Sequence, residues 1–279
     1  MTQSFAGLSL DRPLVMGIVN VTPDSFSDGG KYLGLEAAIA HGRRLAAEGA
    51  VLIDVGGEST RPGAAAVSPE EEIARTVPVV KALAAEGICV SIDTRHAAVM
   101  REAVEAGAAI INDISALEGD PESLSVAARG GASVVLMHMQ GQPSDMQAAP
   151  VYQDAPRQVR DYLAARIEAC LGAGIARERI CVDPGIGFGK TLEHNLQLLA
   201  ALGDLRALEV PVLLGVSRKS FIGALSRQAP PDQRLGGSLA AALVGLDRGV
   251  KILRVHDVAE TVQAVAVWHA IKSVSSKRF

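Results

Sequence analysis

Eight short apolar runs recur along the chain, separated by longer Ala-rich segments. They are rich in Val, Ile and Leu and do not alternate strictly between polar and apolar residues, so each predicts a strand buried on both faces of a parallel sheet. The runs are LVMGIVN (14–20), VLIDV (51–55), ICVSID (88–93), AIIND (109–113), SVVLMHM (133–139), RICVDP (179–184), VLLGVS (212–217) and VKILRVH (250–256).

The segments between these runs predict amphipathic helices, among them 35–49, 68–87, 96–107 and 156–174. The second opens with Ser68 before Pro69, an N-cap followed by a first-turn proline. Strand–helix alternation without a linker predicts one (β/α)8 TIM barrel, an α/β fold forming a single domain over 1–279. The alternative is a doubly wound open sheet, but NVTP (20–23) follows the first strand where that fold needs a Gly-rich fingerprint.

Composition excludes several classes of protein. A net charge of −4 and 3% aromatic residues indicate neither a basic surface for nucleic acid nor many rings to stack on bases. No apolar stretch reaches the roughly 20 residues that span a bilayer, and no signal-peptide pattern opens the chain. The odd, widely spaced Cys89, Cys170 and Cys181 predict buried thiols rather than disulfides or a zinc site. We therefore expect a cytoplasmic protein without a membrane partner.

Most of the apolar runs end in a polar residue that is capable of chemistry. One Asp after a strand is ordinarily a helix N-cap, but this many polar strand ends predict a site at the C-terminal rim of the barrel, where barrel enzymes place their chemistry. The residues are Asn20, Asp54, Asp93, Asn112, His138, Asp183, Ser217, Arg254 and His256.

Several features of this rim predict an anionic ligand. Residues 20–30 and 56–68 form long Gly-, Ser- and Pro-rich loops, typical of functional lids, and the second carries Arg61 as an anion donor. The segment VSRKS (216–220) follows the seventh strand, where barrels often bind phosphate, and Arg254 and His256 lie on the next strand. A phosphate, diphosphate or carboxylate would suit these groups. Lys219 as a Schiff-base nucleophile is the open alternative.

The acids Asp93 and Asp183, with Asn112 between them in strand order, predict recognition of a heterocycle edge that carries N–H donors. The glycines of DPGIGFGKT (183–191) do not have P-loop spacing and predict a close approach of backbone to a flat ligand. No HExxH, EF-hand or His cluster is present, so the metal we expect is Mg²⁺, held mainly by substrate diphosphate and water.

Taken together, several segments of the chain resemble the dihydropteroate synthases, a family of pterin-binding TIM barrels. The resemblance runs from the first strand to the last. It is carried by MGIVNVTPDSFSDGG (16–30), GGESTRPGA (56–64), SIDT (91–94), INDISA (111–116), MHMQG (137–141), VDPGIGFGKTLEHN (182–195), GVSRKSFIG (215–223) and RVHDV (254–258).

The resemblance implies a cytoplasmic transferase of folate biosynthesis. It would condense 6-hydroxymethyl-7,8-dihydropterin diphosphate with p-aminobenzoate, giving 7,8-dihydropteroate and pyrophosphate, and sulfonamides would compete for the p-aminobenzoate site. It also implies a homodimer formed by late helices, for which 235–249 and 258–271 are the candidate segments. The alternatives are a methyltetrahydrofolate methyltransferase-like barrel and a non-catalytic pterin-binding protein.

The resemblance further implies a role for individual residues. The pterin pocket would comprise Asp93, Asn112, Met137, Asp183, Phe188, Lys219 and Arg254. The diphosphate would contact Asn20, Arg254 and His256, with Asn20 also binding Mg²⁺. The p-aminobenzoate pocket would comprise Phe26, Thr60, Arg61, Pro62 and Ser220. The catalytic residues would be Asn20, Asp93, Lys219, Arg254 and His256.

Overall fold

The computed structural model describes residues 3–21, 30–59 and 67–275 and has the predicted (β/α)8 architecture. An antiparallel hairpin, β1 (Ser4–Phe5) and β2 (Leu8–Ser9), precedes the barrel. The parallel barrel strands are β3 (Leu14–Asn20), β4 (Leu52–Gly56), β5 (Cys89–Asp93), β6 (Ile110–Asp113), β7 (Ser133–Met137), β8 (Ile180–Asp183), β9 (Leu213–Leu214) and β10 (Ile252–Val255).

The strands follow the order β8-β7-β6-β5-β4-β3-β10-β9. The ring closes between the two ends of that order, because Val182 on β8 forms a parallel bridge with Val212 and its N–H donates to the Pro211 carbonyl at 3.0 Å. The predicted TIM barrel is therefore confirmed, and the open-sheet alternative is wrong.

Helices pack around this barrel and cover the outward-facing strand residues. They are α1 (Gly30–Ala47), α2 (Pro69–Ala85), α3 (Ala97–Glu105), α4 (Ser123–Gly130), α5 (Ala155–Gly172), α6 (Leu192–Ala200), α7 (Ser220–Leu225), α8 (Leu235–Asp247) and α9 (Val258–Ser275). Helix α2 begins as predicted, since the Ser68 side chain accepts from the Glu71 N–H at 3.3 Å. Within the described ranges, no helix is both long and apolar enough to cross a membrane.

The interior of the barrel is apolar at the amino-terminal end of the strands. Phe5 and Leu10 of the hairpin segment pack there and cover that mouth. The inward-facing strand residues at this end are Leu14, Met16, Leu52, Ile110, Val135, Cys181, Leu213 and Ile252. Two residues further along several of these strands the inward positions turn polar, with Asp54, Asn112, Asp183 and Arg254. One mouth of the barrel is therefore packed with apolar side chains, and the other carries polar and charged side chains.

The structure also tests the predicted seventh strand of the barrel and the predicted burial of the cysteines. The run 212–217 predicts a six-residue strand, whereas β9 has two residues; Val212 adds a single bridge before it, and Val216 is buried beyond its end. The cysteines are free and Cys170 and Cys181 are buried, as predicted, whereas Cys89 is only half-buried. Burial raises the pKa of all three thiols, that of Cys170 to about 11.

Candidate active site

The strand register brings three predicted positions, Asn20, Asp93 and Asn112, to one level of the barrel. Asn20 on β3 lies opposite Gly56 on β4, which lies opposite Asp93 on β5, which lies opposite Asn112 on β6. Adjacent strands in a sheet are about 5 Å apart, so these polar groups occupy one face of the rim. Gly56 lies against Asp93, since a Cβ there would be in ordinary van der Waals contact with the Asp93 Cβ, at 3.5 Å.

Arg254 links the carboxylates of this rim. It starts lower in the barrel, opposite Met16, and its side chain reaches upward. Its Nε donates to the Asp54 Oδ2 and its Nη2 to the Asp93 Oδ2, each at 2.6 Å, while the Asn112 Nδ2 donates to the same Asp54 oxygen at 3.0 Å. One guanidinium thus joins two carboxylates that come from different strands.

The charges in this cluster alter one another. Burial raises the pKa of Asp93 to about 7, with Arg254 acting against the rise and Asp54 adding to it. Burial lowers the pKa of Arg254, but Asp54 and Asp93 outweigh that effect and raise it. Near neutral pH Asp93 is therefore able to hold or release a proton while Arg254 stays charged. Such a carboxyl group can accept a hydrogen bond from a ring N–H or, when protonated, donate one to a ring nitrogen, so it suits the edge of a heterocycle that carries both.

The opposite wall of the rim carries Asp183, Lys219 and an aromatic ring. Asp183 ends β8 beside Met137 of β7, and its Oδ1 accepts from the Gly185 N–H at 2.7 Å. The Lys219 ammonium lies 4.1 Å from the centroid of the Phe188 ring. Burial lowers the pKa of Lys219 to about 8, against the attraction of Asp183, and burial raises the pKa of Asp183. The wall therefore combines an acceptor, a donor and a flat apolar surface.

Ser217 and His256 join the ends of β9 and β10. The Ser217 Oγ and His256 Nδ1 are 3.0 Å apart, and the His256 backbone N–H donates to the same hydroxyl at 3.2 Å. Burial and the nearby cations Arg254 and Arg218 lower the pKa of His256 to about 4. At pH 7 this imidazole is neutral, so it offers an anion a hydrogen bond rather than a charge.

Asn20 and His256 open onto a groove on the α1 side of the rim. The groove has a volume of roughly 600 Å³ and is also lined by His41 and Arg44 of α1. Two of the three residues predicted to contact a diphosphate, Asn20 and His256, therefore line one accessible groove, whereas Arg254 does not line it.

Some predicted residues lie elsewhere or outside the described ranges. Phe26, Thr60, Arg61 and Pro62 belong to the segments that the structure does not describe, so their assignment stays a prediction. Ser220 is exposed as the first residue of α7, directly after Lys219.

Arg218 does not join the cations of the rim, although VSRKS predicts that it does. It has a φ of 59°, and its guanidinium forms a two-point contact with Asp257, with Nε to Oδ2 at 3.0 Å. The Arg218 guanidinium is therefore paired with the carboxylate of Asp257, which follows β10. The anion contact suggested for it from the sequence is therefore not supported.

Two residues of the site carry no role in the sequence prediction. Asp54 appears there only as a strand end, yet it is fully buried and bonds both Arg254 and Asn112. Alternation along LIDVG would have shown that Asp54 points inward with Leu52. Lys190 is only a member of the glycine-rich stretch 183–191 in the sequence, and no local pattern indicates that it is 2% exposed.

The chain matches the family model described as "Pterin binding enzyme" over residues 16–256. It is 50% identical to the dihydropteroate synthase of Escherichia coli (strain K12) over 272 residues, which cover 97% of this chain and 96% of that one. The chain belongs to the dihydropteroate synthase family. The resemblance inferred from the motifs is thereby confirmed.

Solved structures of this family have the same fold. The dihydropteroate synthase of Yersinia pestis, in a sulfonamide drug complex, superposes with a TM-score of 0.91 at 51% identity, covering 98% of this chain and 100% of that one. The Xanthomonas albilineans dihydropteroate synthase in complex with 7,8-dihydropteroate gives a TM-score of 0.87 at 51% identity, covering 95% of each chain. Sequence motifs and fold therefore agree over nearly the whole chain.

Proposed function

We propose that this chain is a dihydropteroate synthase, a transferase that joins 6-hydroxymethyl-7,8-dihydropterin diphosphate to p-aminobenzoate with release of pyrophosphate. The observation that carries the proposal is the 50% identity to the Escherichia coli dihydropteroate synthase across 97% of the chain. The product complex of the Xanthomonas albilineans relative supports the same reaction. Relatives that are named dihydropteroate synthase and are 50% identical to this chain argue against the two alternatives. These are a methyltetrahydrofolate methyltransferase-like barrel and a non-catalytic pterin-binding protein.

The pterin is assigned to the interior of the rim. Asp93, Asn112 and Asp183 supply oxygens and an amide to the edge of the ring, and Lys219 and Arg254 add donors. Met137, which is 4% exposed, and Phe188 supply apolar surface. Asp54 holds Arg254 and Asn112 through one oxygen and so fixes the two groups that face the pterin.

The reaction breaks the bond between the pterin methylene carbon and the diphosphate oxygen and forms a bond from that carbon to the amine nitrogen, which then loses a proton. Positive charge develops on the pterin as the diphosphate departs. Asp93, in contact with Arg254, lies where a carboxylate stabilises that charge. Asn20, Arg254 and His256 contact the departing diphosphate, and His256 does so as a neutral donor.

The donor set of the rim fits a magnesium ion that is held mainly by its substrate. Within the described residues no group of three or more His, Cys, Asp or Glu side chains is placed to hold a metal. The Asn20 carboxamide, beside the assigned diphosphate contact His256, offers the single hard oxygen that such an ion needs from the protein. When bound, the ion would neutralise charge on the leaving diphosphate.

The p-aminobenzoate site is assigned to Phe26, Thr60, Arg61, Pro62 and Ser220. Ser220 supports this assignment because it follows Lys219, whose ammonium lies against Phe188 in the pterin wall. The sulfonamide complex of the Yersinia pestis relative supports the expectation that sulfonamides compete here.

The assembly, domain organisation and location are also part of the proposal. Val267, Ile271 and Val274 recur at helical spacing on α9 and are 57%, 62% and 56% exposed, which supports a homodimer through α8 and α9. Sedimentation should show a dimer, and Val267→Lys should shift it toward monomer.

One barrel draws its strands from residues 14–255, which supports a single domain. We assign the enzyme to the cytoplasm.

The deciding experiment measures pyrophosphate release from the pterin diphosphate in the presence and absence of p-aminobenzoate. We expect release to require both substrates and Mg²⁺. Asp93→Asn should lower kcat about 100-fold, a loss of the size seen when one charge-stabilising group is removed. It should weaken pterin binding far less. Release that ignores the amine would refute the synthase assignment, and a borohydride-trapped adduct at Lys219 would favour the Schiff-base alternative.

A further inference from the structure

Lys190 is a buried lysine that the proposed reaction does not use. It lies between β8 and α6, is 2% exposed, and its ammonium has three acceptors within reach. These are the Phe188 carbonyl at 2.9 Å, the His138 carbonyl at 3.2 Å and the His138 Nδ1 at 3.1 Å. An ammonium has three donors, so all of them are satisfied here.

The His138 ring accepts from Lys190 because it is neutral. Burial and the neighbouring Lys190 lower the pKa of His138 to about 3. With the proton on Nε2, its Nδ1 is free to accept. Lys190 therefore ties the segment after β7, at His138, to the segment after β8, at Phe188.

The residues 185–189, here called the glycine loop, are held at every carbonyl from 187 to 189. Gln147 donates to the Gly187 carbonyl at 2.6 Å, Lys190 to that of Phe188, and the Tyr152 hydroxyl to that of Gly189 at 2.9 Å. The loop also lies directly on the backbone after β7, since a Cβ at Gly185 would approach the His138 carbonyl oxygen to 2.0 Å. Its position therefore depends on these donors.

The glycine loop in turn positions Lys219. A Cβ at Gly187 would lie 3.3 Å from the Lys219 Cδ, so the lysine stem crosses the loop in near contact. The Phe188 ring then lies 4.1 Å below its ammonium. A shift of the loop moves both the aromatic wall and the donor that are assigned to the pterin.

Burying an ammonium is unfavourable for stability unless its hydrogen bonds repay the lost hydration, and an apolar side chain of similar volume is often as stable. Burial lowers the pKa of Lys190 to about 7, which reflects that penalty. A role in placing the loop accounts for a charged group at this position where stability alone does not.

We propose that Lys190 is a positioning residue for the pterin, which it serves by holding the glycine loop, and with it Phe188 and Lys219, through the Phe188 and His138 carbonyls. Gln147 and Tyr152 support the same loop. This inference rests on the proposed function, because it takes the pterin as the ligand of that wall.

The test compares Lys190→Met with Arg179→Met. Arg179, directly before β8, also bridges two backbone carbonyls, with its Nε 3.1 Å from the oxygen of Ala132, before β7, and its Nη2 3.1 Å from that of Ala127 in α4, but at the opposite mouth. Calorimetry would measure the dissociation constant of 6-hydroxymethyl-7,8-dihydropterin diphosphate for each variant in the absence of p-aminobenzoate. Urea unfolding would measure the stability of each variant. We expect Lys190→Met to weaken binding about 10-fold, since losing a buried hydrogen-bonded donor has an effect of that size. Arg179→Met should change binding less than about 2-fold.

Lys190→Met should also raise the KM for the pterin diphosphate more than it lowers kcat at saturation. Wild-type affinity in Lys190→Met overturns the inference, as does an equal loss of affinity in both variants that follows their loss of stability. If Lys190→Met does not fold, Tyr152→Phe removes only the donor to Gly189, and we expect about 3-fold weaker binding; unchanged binding there overturns the inference. Failure of the wild-type protein to bind the pterin would instead count against the proposed function.

Discussion

At the scale of the residue, the site depends on one guanidinium that compensates the charge of two carboxylates. Arg254 is one cation between Asp54 and Asp93, and Asp54 is fully buried, with no hydrogen-bond partner for its Oδ1 among the residues that the structure describes. Removing the guanidinium would leave a buried carboxylate without compensation, which is far more costly than never having placed the pair there.

Arg254→Met should therefore lower the free energy of unfolding by about 3 kcal/mol at pH 8. Arg218→Met is the matched control, since Arg218 pairs with Asp257 at a more exposed position, and its loss should be about 1 kcal/mol or less. Urea titrations of both variants measure the difference. Equal losses would show that burial of the Arg254 pairs contributes nothing.

His256 predicts how stability depends on pH. Its pKa is about 4 in the folded chain against 6.5 for an ordinary histidine, so the unfolded chain binds more protons between these values. Stability therefore falls as the pH drops from 6.5 to 4. In His256→Asn that slope should be shallower by up to about 1.4 kcal/mol per pH unit, as measured by urea unfolding at several pH values. If the stability of the wild type and that of the variant changed in parallel between pH 4 and 6.5, the lowered pKa of His256 would be contradicted.

At the scale of the element, the ends of strands and helices were the hardest to predict. Ser68 marks the start of α2 from sequence alone, because a side-chain cap is a local interaction. His96 stands at the start of α3 but does not cap it; its Nδ1 lies 2.7 Å from Glu72, and the Ala97 N–H is capped by Asp120, which is distant in sequence. No local sequence pattern shows that Asp120, rather than His96, caps the start of this helix.

The glycine loop shows the same dependence on distant backbone. Gly185 has a φ of +68°, and a Cβ there would lie 2.0 Å from the His138 oxygen. Gly131, which ends α4, has a similar φ of +77°, but a Cβ there would meet no atom of the described residues within 4 Å. Gly131→Ala should cost about 1 kcal/mol of stability from backbone strain, and Gly185→Ala about 3 kcal/mol or more because of the added clash. Chemical denaturation of both variants tests this, and equal losses would mean that the backbone contact relaxes freely.

At the scale of the whole molecule, the two mouths of the barrel have separate tasks. The amino-terminal mouth is packed by the hairpin segment, with Phe5 1% exposed, and the carboxyl-terminal mouth carries the buried charges. In barrels of this kind, substitutions at the first mouth affect stability and those at the second affect chemistry.

Phe5→Ala should therefore lower the free energy of unfolding by about 3 kcal/mol or more, as expected for truncating a buried aromatic side chain. The kcat/KM of the folded enzyme should stay within about 2-fold of wild type. Thermal unfolding and the pyrophosphate assay, run below the melting temperature, separate the two effects. A large fall in kcat/KM with the protein still folded would show that the mouths are coupled.

The sequence alone determined the barrel, its family and most of the rim, because apolar runs, helix periodicity and the motif segments are read locally along the chain. It placed Asp93, Asn112, Asp183 and Arg254 at strand ends, and parallel strands bring such ends together without further information. What only the tertiary structure decided were pairings between residues of different strands and loops: Asp54 with Arg254, Arg218 with Asp257, and Lys190 with two loop carbonyls. These depend on register and on backbone turns such as the φ of 59° at Arg218, which follow from packing rather than from any local pattern.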